Sequence, residues 1–223
     1  MSPITYLWTP LLIAVLDWLS IILRWRLIGY LTKPGVMVAL LSWVWITSGF
    51  KGPILLIGFA LLFSLLGDVF LMLPKIRFFA GIISFSIAHF IYIIALNLTF
   101  PPINISAIIV FSLIAIITIQ ISRRVTFSLK VNDEHPLIPF IWIYSLLISV
   151  MLFSALLTVI RPEWEKLPAL ILSAGAFLFF LSDSLLAINK FLSPIASGQL
   201  IIRATYHLGQ IAIVLGFLYN FSP

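Results

Sequence analysis

Cysteine is absent from the 223 residues, which excludes disulfides, thiolate catalysis and cysteine-ligated metals. Charge is also scarce: 9% of residues are Asp, Glu, Lys or Arg, against about 25% in an ordinary globular domain. So little polar surface cannot cover a water-soluble sphere. A soluble enzyme, a disordered chain and a soluble domain on a single anchor are excluded. A basic n-region is missing at the start as well. Met1-Ser2-Pro3-Ile4-Thr5 has no small-residue cleavage site and reads as the beginning of a retained helix. The net charge of +6 and pI near 9.8 do not imply nucleic acid. The basic residues stand singly or in twos and threes between apolar runs, not clustered on one solvated face.

What is present is hydrocarbon: 62% of residues are apolar or aromatic, and mean hydropathy is +1.22. Apolar runs fall at 4–23, 34–49, 54–73, 77–97, 104–121, 137–160, 167–188 and 199–220. A spanning helix needs about 20 apolar residues. The expectation is an all-α polytopic membrane protein of about eight transmembrane helices, forming one domain over 1–223. Proline supports these boundaries. Pro34, Pro53, Pro136 and Pro139 stand at starts, Pro74 at an end, and Pro10 alone lies clearly inside a run. Hydrocarbon offers no water to replace a lost backbone donor, so proline is expected at ends.

Loop charge sets orientation. Connections 1–2, 3–4, 5–6 and 7–8 carry Arg24, Arg26, Lys33, Lys75, Arg77, Arg123, Arg124, Lys130 and Lys190, and the opposite side carries Lys51, Arg161 and Lys166. The first set is expected in the cytoplasm and both termini outside, in a bacterial cell (inner) membrane. The longest connection, 122–136, is then a cytoplasmic loop. An internal echo accompanies this alternation. Leu65-Leu66-Gly67-Asp68-Val69-Phe70-Leu71, ending in Lys75, aligns at an offset of 115 with Phe180-Leu181-Ser182-Asp183-Ser184-Leu185-Leu186, ending in Lys190. Four helices separate the copies, so a parallel four-plus-four repeat is one organisation the sequence allows.

The informative residues are ionisable groups inside the runs. A central Asp or Arg costs about 2.5–3.5 kcal/mol on insertion scales. Asp17, Asp68, His89, Asp183, Arg203 and His207 must therefore face the bundle interior or a wet cavity. Counted from the run ends at about 1.5 Å per residue, Asp17, Asp68, Asp183 and the helix-8 group fall roughly 6–17 Å from the cytoplasmic side. His89 and Tyr92 sit deeper. Arg203, Tyr206, His207 and Gln210 are spaced i, i+3, i+4, i+7, one stripe of a helix, and His89 and Tyr92 are spaced i, i+3. A pocket lined by helices 3, 4, 7 and 8 and opening to the cytoplasmic leaflet is expected. Lys33, Lys75, Arg77 and Lys190 would ring its mouth and suit a phosphate headgroup. Arg203 would pair with one of the two aspartates. Asp17 is as readily a structural, near-interface residue.

Thr32-Lys33-Pro34, Gly67 to Leu73, Gly81 to Phe85 with His89 and Tyr92, Ser182 to Ala187 with Lys190-Phe191, and Tyr206-His207 with Gln210 together resemble the lysoplasmalogenase (YhhN-like) family of polytopic membrane proteins. Five weak motifs in register, from helix 2 to helix 8, carry the resemblance, while 98–170 contributes little. It implies an eight-helix enzyme that hydrolyses the vinyl ether bond of a lysophospholipid substrate among membrane lipids. The products would be a fatty aldehyde and glycerophosphoethanolamine or glycerophosphocholine. It also implies that Asp68 and Asp183 are the functional carboxylates; no cofactor and no metal are expected.

Vinyl ether chemistry suits such residues. There is no carbonyl for a nucleophile to attack. Hydrolysis begins with protonation of the β-carbon, and water captures the resulting oxocarbenium ion. That asks for one protonated carboxyl group and one carboxylate, the logic of glycosidases. One of Asp68 and Asp183 is expected as the acid and the other, nearer Arg203, as the carboxylate that positions water. Tyr206, His207, His89, Tyr92 and Gln210 would orient water or glycerol oxygens, and Lys33 would hold the phosphate. Two other readings remain open. His89, His207, Asp68 and Asp183 could bind one zinc of a metal-dependent lipid hydrolase, although no His-x-x-x-His or Glu-x-x-His spacing is present. A proton-coupled transporter would also place Asp and His inside the membrane.

Overall fold

The computed structural model describes residues 3–73, 78–99 and 103–221. Among them are α1 (Trp8–Ile22), α2 (Arg26–Ser48), α3 (Ile54–Met72), α4 (Phe78–Leu96), α5 (Ile105–Val131), α6 (Ile138–Leu157), α7 (Lys166–Phe191) and α8 (Gly198–Phe221). Seven are long and apolar enough to cross a membrane, and α1 is a shorter apolar helix of 15 residues. The chain is an integral membrane protein of the all-α class. Its outward faces are hydrocarbon, as Leu27, Leu31, Ile105 and Phe127 show, while its polar groups point inward. Where lipid is as apolar as leucine, burying apolar side chains gives little force to join helices, and close packing and buried polar contacts hold them instead.

That packing is closest between α7 and α8. A Cβ on Gly209 would stand 2.9 Å from the Gly175 carbonyl oxygen and from the Phe179 nitrogen, and one on Gly216 would stand 2.8 Å from the Pro168 oxygen. The two backbones touch, so the register between α7 and α8 is rigid. The α3–α4 pair is similar: a Cβ on Gly67 would meet the Phe85 ring at 2.6 Å. Away from the polar layer, Ile57, Leu61, Trp43, Val214 and Phe217 fill the interior. At that end, Arg161 is not a solvated loop charge. It is 3% exposed and donates from Nη1 to the Leu96 carbonyl and from Nη2 to Asn97 Oδ1. Burial pushes its guanidinium below the usual arginine range.

Two boundaries differ from expectation. The second helix begins at Arg26 rather than at Pro34, so Pro34 lies inside α2. Proline leaves the Tyr30 carbonyl without its helical donor. Tyr30 is exposed and lines a large cavity with polar walls, so this carbonyl is not sealed in hydrocarbon. The supposed loop 122–136 is mostly helix, because α5 continues to Val131. Ser122, Val125 and Leu129 form a buried stripe on it, and Val125 and Leu129 pack with Ile82 and Ile141. Pro74, Lys75 and Arg77 lie outside the described residues.

Candidate active site

Each aspartate of the 115-residue echo is held by side chains from two other helices. On α3, Asp68 Oδ1 is 3.0 Å from Lys33 Nζ of α2, and its Oδ2 accepts a 2.9 Å hydrogen bond from the Tyr206 hydroxyl of α8. On α7, Asp183 Oδ2 accepts from the Tyr144 hydroxyl of α6 and lies 3.3 Å from His89 Nε2 of α4. A shift of four helices turns α2 into α6, α3 into α7 and α8 into α4. The partners of the two aspartates are thus related by the same four-helix shift. The halves differ in chemistry. A cation pairs with Asp68, whereas a phenol and an imidazole pair with Asp183.

The contacts correct three expectations. Arg203 does not bind either site aspartate; its Nη1 is 2.8 Å from Asp17 Oδ1 of α1, an oxygen that also accepts from the Thr32 hydroxyl. Asp17, fully buried, anchors Arg203. Lys33, expected at the mouth, is itself buried and supplies the cation to Asp68. Lys190 lies over the Phe78 ring rather than in the polar cavity. Tyr144 was missed: a lone tyrosine in an apolar run reads as packing, and no spacing rule ties α6 to α7.

Deeper in the bundle, the Tyr92 hydroxyl donates to Gln210 Oε1 at 2.7 Å, and Gln210 Nε2 donates to Ser64 Oγ at 3.1 Å. All three are buried. They form the floor of the polar layer, and Ser64 sits one turn from Asp68 on α3. His207, although on the same helix as Tyr206, turns to α1. It stacks on Trp18, its Nδ1 is 3.9 Å from Asp17 Oδ2, and neither ring nitrogen has a hydrogen-bond partner among the described residues. The four residues that allowed a zinc site are therefore divided among three pairings. No group of three acidic or histidine ligands forms among the described residues.

Two cavities meet at this layer. A polar one of about 840 Å³ is lined by Arg24, Arg26, Lys33, Asp68, Asp183, Arg203 and Tyr206, within the size range of ligand pockets. A narrower apolar cleft between α4, α5, α6 and α7 is lined by Ile82, Ile121, Ile141, Ile148, Phe180 and Tyr144. Both include Asp183, Phe85, Leu71 and Leu186 in their walls. Phe85 and Phe179 stand edge to face with Tyr206, and Phe179 also meets the His89 ring, so aromatic rings pack around the two carboxyl groups.

The fold and site define a polytopic membrane protein with one carboxyl group, Asp183, in the wall shared by a cationic cavity and an apolar cleft, and a second, Asp68, buried in the wall of the cationic cavity. Residues 28–217 match the model of the YhhN family, and the chain belongs to that family. It is similar to human lysoplasmalogenase TMEM86B, with 28% identity over 187 residues that cover 84% of this chain and 74% of the human protein. The mouse lysoplasmalogenase TMEM86B is 26% identical over 194 residues, 86% and 76% of the two chains. The pig protein of the same name is 31% identical over 157 residues, 70% and 60%. No solved structure matches.

Proposed function

We propose that this chain is a lysoplasmalogenase-type hydrolase that cleaves the vinyl ether bond of a lysophospholipid, with Asp183 as the acid and Asp68 as the carboxylate. The reading rests on one observation above the others: Asp183 stands where the polar cavity and the apolar cleft share a wall. In a lysolipid the vinyl ether lies where the headgroup's glycerol joins the hydrocarbon chain. A molecule with its phosphate among the cations and its chain in the cleft presents that bond to Asp183. The names of the curated relatives support the same reaction class.

The roles follow from the pairings. Lys33 gives Asp68 a cation partner, with Nζ 3.0 Å from Oδ1. Among the described residues Asp183 has no lysine or arginine partner: the Tyr144 hydroxyl and His89 Nε2 both meet it at Oδ2, and its Oδ1 has no partner. A proton on Oδ1 leaves both contacts intact and is free to transfer. Asp183 protonates the β-carbon, and the vinyl ether becomes an oxocarbenium ion whose positive charge Asp68 faces across the cavity. Water adds to the α-carbon and gives up a proton to a carboxylate, forming a hemiacetal. Protonation of the glycerol oxygen then breaks the carbon–oxygen bond and releases fatty aldehyde and the glycerophospho-alcohol. Water is consumed once and no redox step occurs. Tyr144 and His89 hold Asp183 in position. Tyr206 and the Tyr92–Gln210–Ser64 floor keep Asp68 and the adjacent water oriented.

The polar layer stops at that floor, and buried apolar side chains continue beyond it. This supports a one-sided pocket over a transport path. The pocket faces the cytoplasmic leaflet and both termini face outward, on the loop-charge argument. The deciding experiment gives detergent-purified protein a lysoplasmalogen and a saturated-ether lysolipid, with and without a chelator, and scores aldehyde. Aldehyde is expected from the vinyl ether only, unaffected by chelator. Asp183→Asn and Asp68→Asn should each lower the rate by about 10²–10⁴-fold, and Tyr144→Phe by about tenfold. No aldehyde from well-folded protein refutes the reading.

A further inference from the structure

On that reading of the site, we infer that Asp17 is a positioning residue for the reaction. It does not touch the lysolipid but fixes the Arg203 guanidinium that binds the substrate's phosphate, whatever headgroup lies beyond that phosphate. The YhhN match covers residues 28–217, and Asp17 lies before it on α1. Its side chain is fully buried and forms no part of the cavity wall. Oδ1 accepts from Arg203 Nη1 of α8 at 2.8 Å and from the Thr32 hydroxyl of α2 at 2.9 Å. The Ser20 hydroxyl donates to the Asp17 carbonyl at 2.7 Å. On the α2 side, a Cβ at Gly29 would stand 3.7 Å from Nη1 and 3.0 Å from Ser20 Oγ. One guanidinium nitrogen is thus seated between α1 and α2. The other carboxylate oxygen, Oδ2, faces His207, whose Nδ1 is 3.9 Å away.

The cations that line the cavity, Arg24, Arg26, Lys33 and Arg203, differ in what they have left to give. Lys33 is 3.0 Å from Asp68. Arg24 and Arg26 are exposed, so a ligand would have to order their long side chains itself. Arg203 is already held, with its side chain 15% exposed, and it uses only Nη1 on Asp17. Its Nε and Nη2 take no partner among the described residues. Those donors lie in a rigid plane that suits phosphate oxygens. A side chain tethered at one nitrogen loses little further freedom on binding, which is the gain from preorganisation. The Asp17 charge itself opposes an anion. A phosphate meets the guanidinium directly and the carboxylate only behind it, so the seat outweighs that repulsion.

The test measures kcat and KM for a phosphoethanolamine lysoplasmalogen in micelles of fixed composition, with the affinity for a saturated-ether lysolipid of the same headgroup alongside. Asp17→Ala should raise KM about tenfold and weaken the ether lysolipid equally. Its kcat should stay within about twofold of wild type, because Asp68 and Asp183 keep their partners. Arg203→Met should do the same. The double variant should be no worse than Arg203→Met alone, because Asp17 acts only through that side chain. Asp17→Asn keeps the shape of the side chain and an oxygen for Nη1. It should fold even where Asp17→Ala does not, and raise KM about threefold. Asp17 variants that lose stability but keep the wild-type KM, or that lower KM, overturn the inference and leave vinyl ether hydrolysis standing. So does a double variant in which the two increases multiply. No aldehyde from the wild type, with Asp17-dependent binding of the ether lysolipid, overturns the hydrolysis and leaves the seat for Arg203 standing.

Discussion

Replacing Lys33 by methionine keeps most of the stem and removes the ammonium from beside Asp68. The pair is nearly dry: Nζ is 3.0 Å from Oδ1, and the side chains are 11% and 1% exposed. At that distance and an effective dielectric of about 20, the attraction is about 5.5 kcal/mol. The stranded carboxylate has a second route, which is to take up a proton. For a group that ordinarily titrates near 3.9, this costs about 4 kcal/mol at pH 7 and about 1.5 kcal/mol at pH 5. The cheaper route governs. Lys33→Met should therefore destabilise the fold by about 4 kcal/mol at pH 7, in the range of about 3–5 kcal/mol for stripping one partner from a buried pair. The sign with pH follows: the variant folds with a proton on Asp68 that its unfolded chain releases, so its deficit grows as pH rises above the ordinary aspartate range and shrinks as pH falls. Tryptophan fluorescence during denaturation in micelles, at pH 5 and pH 7, measures both values. Lys33→Met combined with Asp68→Asn should regain most of the stability, because no lone charge remains, while staying inactive. Wild-type stability of the single variant at both pH values, or a double variant no better than the single one, would refute a dry ion pair at this position.

Two further outcomes test the frame that holds the site. Gly209→Ala should cost about 1–3 kcal/mol by forcing α7 and α8 apart, and should lower aldehyde release more than its stability loss explains, since those helices carry Asp183, Arg203 and Tyr206; Gly35→Ala, whose Cβ would meet only Ile13 at 3.4 Å, serves as control. Arg161→Met, at the far end of the bundle, should cost about 2 kcal/mol in the same denaturation measurement by stranding the Leu96 carbonyl and the Asn97 side chain, with the turnover of the folded fraction unchanged.

Much of the site was legible because hydrocarbon punishes charge. Asp68 and Asp183 stood out as aspartates five residues from a run end, and their common offset paired them before any contact was known. Arg203, Tyr206 and Gln210 were legible as one helical face, and they do meet the cavity or its floor. His207 shares that periodicity and yet turns to Trp18, because a stripe as wide as i to i+7 on α8 touches both α1 and α3. Tyr144 carried no signal: one hydroxyl in an apolar run costs too little to demand an explanation. Lys33 was read as a loop charge because Pro34 follows it, and α2 keeps its helix through that proline beside a cavity with polar walls.

From sequence alone came the all-helical membrane class, the approximate spans, the need to bury every intramembrane charge and the depth at which those charges gather. These are properties of one helix at a time, set by composition, period and rise per residue. Which cation meets which carboxylate was decided only in three dimensions. Lys33, not Arg203, binds Asp68; Asp17, not a site aspartate, binds Arg203; Tyr144 and His89 share Asp183. Ion pairs and hydrogen bonds act over about 3 Å, and a few ångströms of helix rotation or approach exchanges one partner for another. That rotation is set by backbone contacts such as Gly175 against Gly209, which no single helix contains.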